Sequence, residues 1–445
     1  METLNKKYGL WTSIAMVVGV VIGSGVFFKA DDVLTLTKGN LIGALIAWVV
    51  GAASMIFGAL VFAEFAGRIE KANGIVDYSE EAYGKKFGYL VGWFKGVLYY
   101  TPLSAILCWV ASMYTMILFG SDNPTNSGMT WVVAGIYLIL GYAMNYFSPI
   151  LAGKFQVATT VIKLIPLTLI AIVGVISGVF NGVMLENFTS AAQSIGSSYG
   201  TLASAVVATA FAYEGWIAAT TINSEIKDAK KTLPKALTIG SIIVLIIYIL
   251  YFLGVSGVLP TGQIVTEGDN AISIAANSLF GGTAAVILTA FVVFSCLGTL
   301  NGLIISNIRM PFSLALRNQG PAPKLLAKVN QKTNMPPYST IYAFILSVVY
   351  TVIWYGSLNE WFGRYIALDE IPIVLIYGLY IFLYVWYIKN FTDLNHWKRY
   401  GLPICAIMGS LIILYGGITN PSIGIYLGIS VVVILFGLLF YRKEQ

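Results

Sequence analysis

The sequence predicts an all-α membrane protein with 12 transmembrane helices. Three observations carry this prediction. Of 445 residues, 58% are hydrophobic and 10% charged, whereas a soluble protein carries charge on roughly a quarter of its residues. Apolar runs of about 20 residues, the length that crosses ~30 Å of hydrocarbon at ~1.5 Å per residue, recur along the whole chain. Basic residues gather in alternate connecting segments, as the positive-inside rule requires of a polytopic protein.

The runs fall at 9–29, 40–66, 88–119, 130–149, 156–180, 199–226, 235–259, 283–315, 338–357, 364–388, 402–419 and 422–441. The third and eighth are too long for an upright crossing, so they tilt or extend past the bilayer. The first follows a short polar stretch and is itself long enough to span, so it is expected to stay in the membrane rather than be cleaved as a leader. With the N-terminus inside, 21 of the 26 basic residues face the cytoplasm, while the outer segments hold only Lys29, Lys38 and Arg364. Both termini are therefore expected in the cytoplasm. The net charge of +6 reports topology in the cell membrane and not a nucleic-acid partner. Lys95 and Lys163 remain, both within apolar runs.

Enzyme and channel chemistry find little to stand on. The single histidine, His396, lies in an inner loop, and neither HExxH nor a P-loop is present, so no catalytic residue, metal or cofactor is expected. Cys108, Cys296 and Cys405 sit inside apolar runs, without disulfide-framework or metal spacing. The charge rings and repeated filter segment of an ion channel are not visible.

Two runs are interrupted. The first reads Gly19-Val-Val-Ile-Gly23-Ser24-Gly25-Val-Phe27, and the sixth reads Ala210-Phe211-Ala212-Tyr213-Glu214-Gly215-Trp216. The sixth run starts outside and the first starts inside, which makes two five-helix halves inverted with respect to each other. Paired broken helices at matching positions of such halves point to a binding site at the membrane midplane, because freed backbone groups are tolerated there only where they line a cavity. The amides of Ser24, Gly25 and Val26 suit a carboxylate at a helix start. The carbonyls of Val21, Phe211 and Glu214 suit an ammonium. Ile22, Gly23, Ala212 and Tyr213 complete the backbone of the candidate site.

At these residues the chain resembles the amino acid–polyamine–organocation superfamily, and within it the L-type amino acid exchangers and bacterial serine/threonine and alanine/serine/cysteine exchangers. The likeness rests on IGSGVF at Ile22 to Phe27, FAYEGW at Phe211 to Trp216 with Glu225 and KKTLPKAL from Lys230, and KLIPL from Lys163. Ala63-Glu64, the stretch from Gly74 to Trp93, and CLGTLNG from Cys296 add weaker support. The resemblance implies a LeuT-like fold of 5+5 helices working by alternating access, with 9–180 and 199–388 as repeats and 402–441 peripheral, in one domain. It departs at FFKADD (Phe27 to Asp32), where family members often carry a proline, and at IEKANG (Ile69 to Gly74).

The same resemblance implies Na⁺-independent transport of small or medium neutral L-amino acids, most simply by exchange. Proton-coupled symport and carriage of cationic amino acids or polyamines stay open. Lys163 lies about 10 Å deep at helical rise, and in such members the lysine of this motif reaches the first break and the eighth span, where Na⁺-coupled relatives hold sodium. Phe211 is implied as the outer gate. Leu303 stands where arginine/agmatine exchangers place a stacking tryptophan, which favours a neutral substrate, with Ser295, Thr299 and Asn301 as polar neighbours. Tyr213 and Trp216 are read as packing, and Glu214 as a structural carboxylate. Asp369 and Glu370 are read as partners of Arg364 or as lining the outer vestibule, and Glu64 and Glu225 as inner-gate anchors or helix caps. Animal light subunits carry an outer-loop cysteine after the third span; the loop Ser121 to Thr130 has none, so no disulfide-linked heavy chain is expected, and a monomer is the expected assembly.

Overall fold

The computed structural model describes residues 9–23, 25–69, 74–194, 201–217, 220, 226–419 and 422–442. Ser24 and Glu225 lie outside the described residues. Helices α1 (Leu10–Val21), α2 (Gly25–Phe28), α3 (Ala30–Leu36) and α4 (Leu41–Arg68) open the chain. Next come α5 (Ile75–Tyr83), α6 (Lys85–Phe94), α7 (Tyr100–Leu118), α8 (Gly128–Phe147), α9 (Pro149–Asn181) and α10 (Val183–Ser194). They are followed by α11 (Leu202–Ala212), α12 (Ala229–Val258), α13 (Thr261–Glu267), α14 (Ala271–Phe280) and α15 (Gly282–Leu316). The last are α16 (Pro323–Leu326), α17 (Pro337–Leu358), α18 (Glu370–Asn390), α19 (Leu402–Ile418) and α20 (Ile423–Leu438).

Among the described residues, nine helices are long and apolar enough to cross a membrane. The first predicted run is a bent pair, Ser13–Val21 and Gly25–Leu36, with a bend of 42°. The sixth holds only the 11-residue α11 before the chain turns at Tyr213, and the twelfth holds the 16-residue α20. The long third run is two helices joined by a π-helical turn at Lys95–Tyr99. Large apolar side chains such as Val132, Ile136, Ile139 and Leu140 on α8 are exposed, which water would penalise and lipid does not.

The helices form two compact units. One comprises Met1–Gly74, Thr160–Val292 and Ile373–Asn420; the other comprises Ile75–Thr159, Val293–Pro372 and Pro421–Gln445. Their membership repeats with a period of five predicted spans: the first and second join the sixth and seventh, and the third and fourth join the eighth and ninth.

In the first unit α12 packs along α4 and α1, and α19 along α4 and α11. Helix α4 starts at Asn40, whose Oδ1 accepts from the Gly43 N–H at 2.7 Å while its Nδ2 donates to the Ala191 carbonyl at 2.7 Å. One side chain thus caps α4 and fastens α10 to it. Helices α9 and α12 approach backbone to backbone, since a Cβ on Gly178 would stand 2.8 Å from the Gly257 carbonyl oxygen. Small residues permit that closeness in membrane helices.

The second unit is held by polar networks inside its helices. Asn301 is fully employed: its Oδ1 accepts from Asn145 at 2.8 Å, and its Nδ2 donates to the Ala152 carbonyl at 3.1 Å and to Gln156 Oε1 at 2.9 Å. Asn307 donates to the Tyr142 hydroxyl at 2.8 Å and to Ser347 Oγ at 3.2 Å. Arg317 reaches the buried Asp77 and, at 3.4 Å, Glu80, tying α15 to α5. Cys108 and Cys296 are buried and Cys405 is half-buried, all as free thiols.

Candidate substrate site

The two breaks meet in the first unit. Helix α1 ends when Ile22 turns extended (φ −68°, ψ 98°), its N–H donating to the Val18 carbonyl. The chain resumes as α2 at Gly25, where a Cβ would stand 2.5 Å from Ala212 Cα. The end of α11 therefore lies directly against the start of α2. Beyond it, Gly215 has φ +104°, a conformation that favours glycine, and its missing Cβ faces the Val20 carbonyl oxygen at 3.3 Å. Val21, Ile22, Gly23, Gly25, Val26, Ala212, Tyr213 and Glu214 are all buried, and Phe211 is half-buried.

Not every expected backbone group is free. The Phe211 carbonyl accepts the Glu214 N–H at 3.2 Å, because the chain closes a turn as α11 ends. The Val21 carbonyl accepts the Tyr248 hydroxyl at 3.0 Å, and the Ala212 carbonyl lies 3.0 Å from the same hydroxyl. Gly23 N–H donates back to that oxygen. Tyr248 of α12 therefore spans both breaks, a role no sequence signal singles out among 27 tyrosines. Trp48 buttresses it, its ring 5.8 Å from Tyr248 and 5.7 Å from Tyr213. Removing the hydroxyl by Tyr248→Phe takes away the one donor between the two buried carbonyls and the acceptor of the Gly23 N–H, at a cost of about 1–3 kcal/mol. The expected result is transport slowed about five- to tenfold, read by exchange in proteoliposomes, with thermal unfolding in detergent lowered by a few degrees.

Lys163 is completely buried. Its ammonium donates to the Gly19 carbonyl, one turn before the first break. Gly19 also fits closely on the same helix, since a Cβ there would stand 2.5 Å from Thr160. An ammonium buried in a span is costly unless its protons are taken up, and a carbonyl near an unwound helix takes up one of them.

Phe211 has a charged neighbour that sequence reading assigned to outer solvent. Lys29, only 4% exposed, sits at the turn between α2 and α3 with its Nζ 5.4 Å from the Phe211 ring centroid. It pairs with Asp32 at 3.0 Å. Asp269 belongs to the turn after α13; burial, then the charge of Asp32, pushes its carboxyl up to about 7, with Lys29 opposing.

The remaining predicted residues find structural places. Tyr213 and Trp216 are fully buried packing groups, Trp216 with its ring 5.5 Å from Phe62 and 5.6 Å from Tyr380. Tyr380 donates to Glu214 Oε1 at 3.5 Å. Lys398 donates to Glu64 at 2.8 Å, and Arg68 makes two bonds to Asp393 at 2.8 and 2.7 Å. The Arg68 bonds hold the Asp393 carboxyl below the usual carboxylate range. Asp369 is buried. Lys95 is buried with its ammonium 4.0 Å from the Tyr99 ring. Leu303, half-buried, Ser295 and Thr299 belong to the second unit, where Thr299 donates to the Ser295 carbonyl.

The sequence profile of the amino acid permease family matches residues 8–441. The chain belongs to the amino acid permease family. This permease is 31% identical to the serine/threonine exchanger SteT of Bacillus subtilis, over 98% of its own length and 96% of the relative's. It is 27% identical to the mouse b(0,+)-type amino acid transporter 1, over 99% of its own length and 88% of the relative's. It is 30% identical to the human large neutral amino acids transporter small subunit 2, over 81% of its own length and 68% of the relative's. The permease is thus a multi-pass membrane transporter of amino acids with a LeuT-like fold.

Proposed function

We propose that this permease exchanges small or medium neutral L-amino acids across the cell membrane without sodium. The observation that carries the proposal is the contact of the two broken helices, with Gly25 against Ala212 and Gly215 against Val20, beside a buried lysine on Gly19. The amino acid's carboxylate is assigned to the amides of Gly25 and Val26 and its ammonium to the sixth-span turn, with Phe211 closing from outside. Lys163 supplies a fixed positive charge where a coupling cation would otherwise be needed. The names of two relatives aligned over nearly the whole chain, a serine/threonine exchanger and an amino acid transporter, support the substrate class and, for the first, the mode.

The five-span periodicity of the two compact units supports an inverted 5+5 repeat, with the last two spans peripheral. Charge asymmetry supports cytoplasmic termini. The cysteine-free loop Ser121 to Thr130 supports a chain that works as a monomer without a disulfide-linked heavy chain, and the transport role is assigned without an accompanying enzymatic one.

The test uses purified protein in sodium-free proteoliposomes loaded with unlabelled serine. Labelled serine uptake is expected to rise several-fold over empty vesicles and to ignore an imposed pH gradient. Uptake that follows the pH gradient and ignores internal serine overturns exchange in favour of proton symport.

A further inference from the structure

We propose that Lys29 is a specificity determinant, a buried positive charge beside the gate phenylalanine that turns away amino acids with cationic side chains. The inference rests on the reading that the two breaks and Phe211 hold the substrate.

A lysine on the outer side of a membrane protein ordinarily extends into water. Lys29 does not. Its backbone N–H donates to the Gly25 carbonyl at 2.9 Å, which places it one turn beyond the start of α2, and its ammonium lies 5.4 Å from the Phe211 ring centroid. The ion pair it makes is lopsided: the Lys29 side chain is 5% exposed and the Asp32 side chain 46%. Water screens the carboxylate far more than the ammonium, so the field on the Phe211 side is dominated by the positive member.

The other acidic groups of this cluster stand together at the turn after α13. Asp31 directs Oδ2 to within 3.5 Å of the Cβ position of Gly268 in that turn. Asp269, in that same turn, has its carboxyl pushed up to about 7 by burial and by Asp32. A cationic side chain held roughly 8–10 Å from Lys29 in a poorly screened interior would bind about ten- to thirtyfold more weakly for that charge alone. A neutral side chain of the same shape would be unaffected.

Lysine and norleucine provide that comparison, since they share a four-carbon stem and differ in the terminal ammonium. The experiment measures their inhibition constants against serine exchange at pH 7.5 in proteoliposomes and takes the lysine-to-norleucine ratio. In Lys29→Met the ratio is expected to fall about tenfold, and in Lys29→Arg to stay within about twofold of the wild type, because the charge is kept. A Lys29→Met ratio equal to that of the wild type overturns the proposal, as does a Lys29→Arg ratio that falls with it, which would mean packing and not charge. If neither variant yields monodisperse protein, Asp32→Asn decides. Freed of its carboxylate partner, Lys29 is expected to raise the ratio about threefold, and an unchanged ratio overturns the proposal. A wild-type protein that exchanges no neutral amino acid fails the function reading and is thereby told apart from a failure of Lys29.

Discussion

Lys163→Met is expected to cut amino acid exchange about ten- to a hundredfold while leaving the protein folded in the membrane. The substituted side chain keeps the length and apolar stem of lysine and removes only the ammonium. Two consequences follow from where that ammonium sits. The Gly19 carbonyl loses a charge-assisted donor, an interaction worth about 1.5–3 kcal/mol, which corresponds to about ten- to a hundredfold in a rate that depends on it. The lost bond is also placed where it matters mechanically, one turn before α1 unwinds, so the first break is no longer fastened to α9. Because the charge itself is costly in a span, its removal relieves desolvation, and the variant is expected to unfold at a temperature equal to or above the wild type. This pairing of lower transport with unimpaired stability distinguishes a working charge from a packing residue. Exchange at the wild-type rate in Lys163→Met would end the assignment, and a loss of transport accompanied by aggregation in detergent would reduce Lys163 to a structural group.

Lys163 was legible in the sequence because a charge inside an apolar run has few innocent explanations, and the breaks were legible because Gly-Ser-Gly and Tyr-Glu-Gly interrupt hydropathy. What hydropathy cannot carry is direction. Lys29 reads as an outer-loop charge because a window average cannot tell a loop from a helical turn folded back on the protein, and only the packing of α2 and α3 buries it. Tyr248 is one aromatic ring in an apolar helix until α12 brings its hydroxyl between two distant carbonyls. Asn301, read as a neighbour of the substrate, has every donor and acceptor spent on Asn145, Ala152 and Gln156, contacts made from 145 to 156 residues away. The Val21 and Phe211 carbonyls show the same limit of a sequence reading: buried backbone groups seek partners, and a tyrosine and a turn each supply one.

Gly25→Ala is expected to abolish measurable transport, and the reason is a backbone atom. The added methyl would stand 2.5 Å from Ala212 Cα, 3.0 Å from Ala212 Cβ and 3.3 Å from Ala212 N. A flexible side chain could swing aside from such a contact. A Cα cannot, so α2 and α11 must separate by roughly 1 Å or more to restore ordinary carbon contacts of ~3.5–4.0 Å. Overpacking of this kind costs about 1–3 kcal/mol, and here it falls on the juncture of the two broken helices. Ala212→Gly in the same chain is expected to recover little, because it removes the Cβ and leaves the Cα in place. Gly135→Ala, at a position with no heavy atom within 4 Å of the new methyl, serves as the control and is expected to leave exchange unaltered. Exchange and detergent melting of the three variants decide the matter. Wild-type transport in Gly25→Ala would mean that the breaks do not need to touch, and full rescue by Ala212→Gly would mean that they touch through side chains alone.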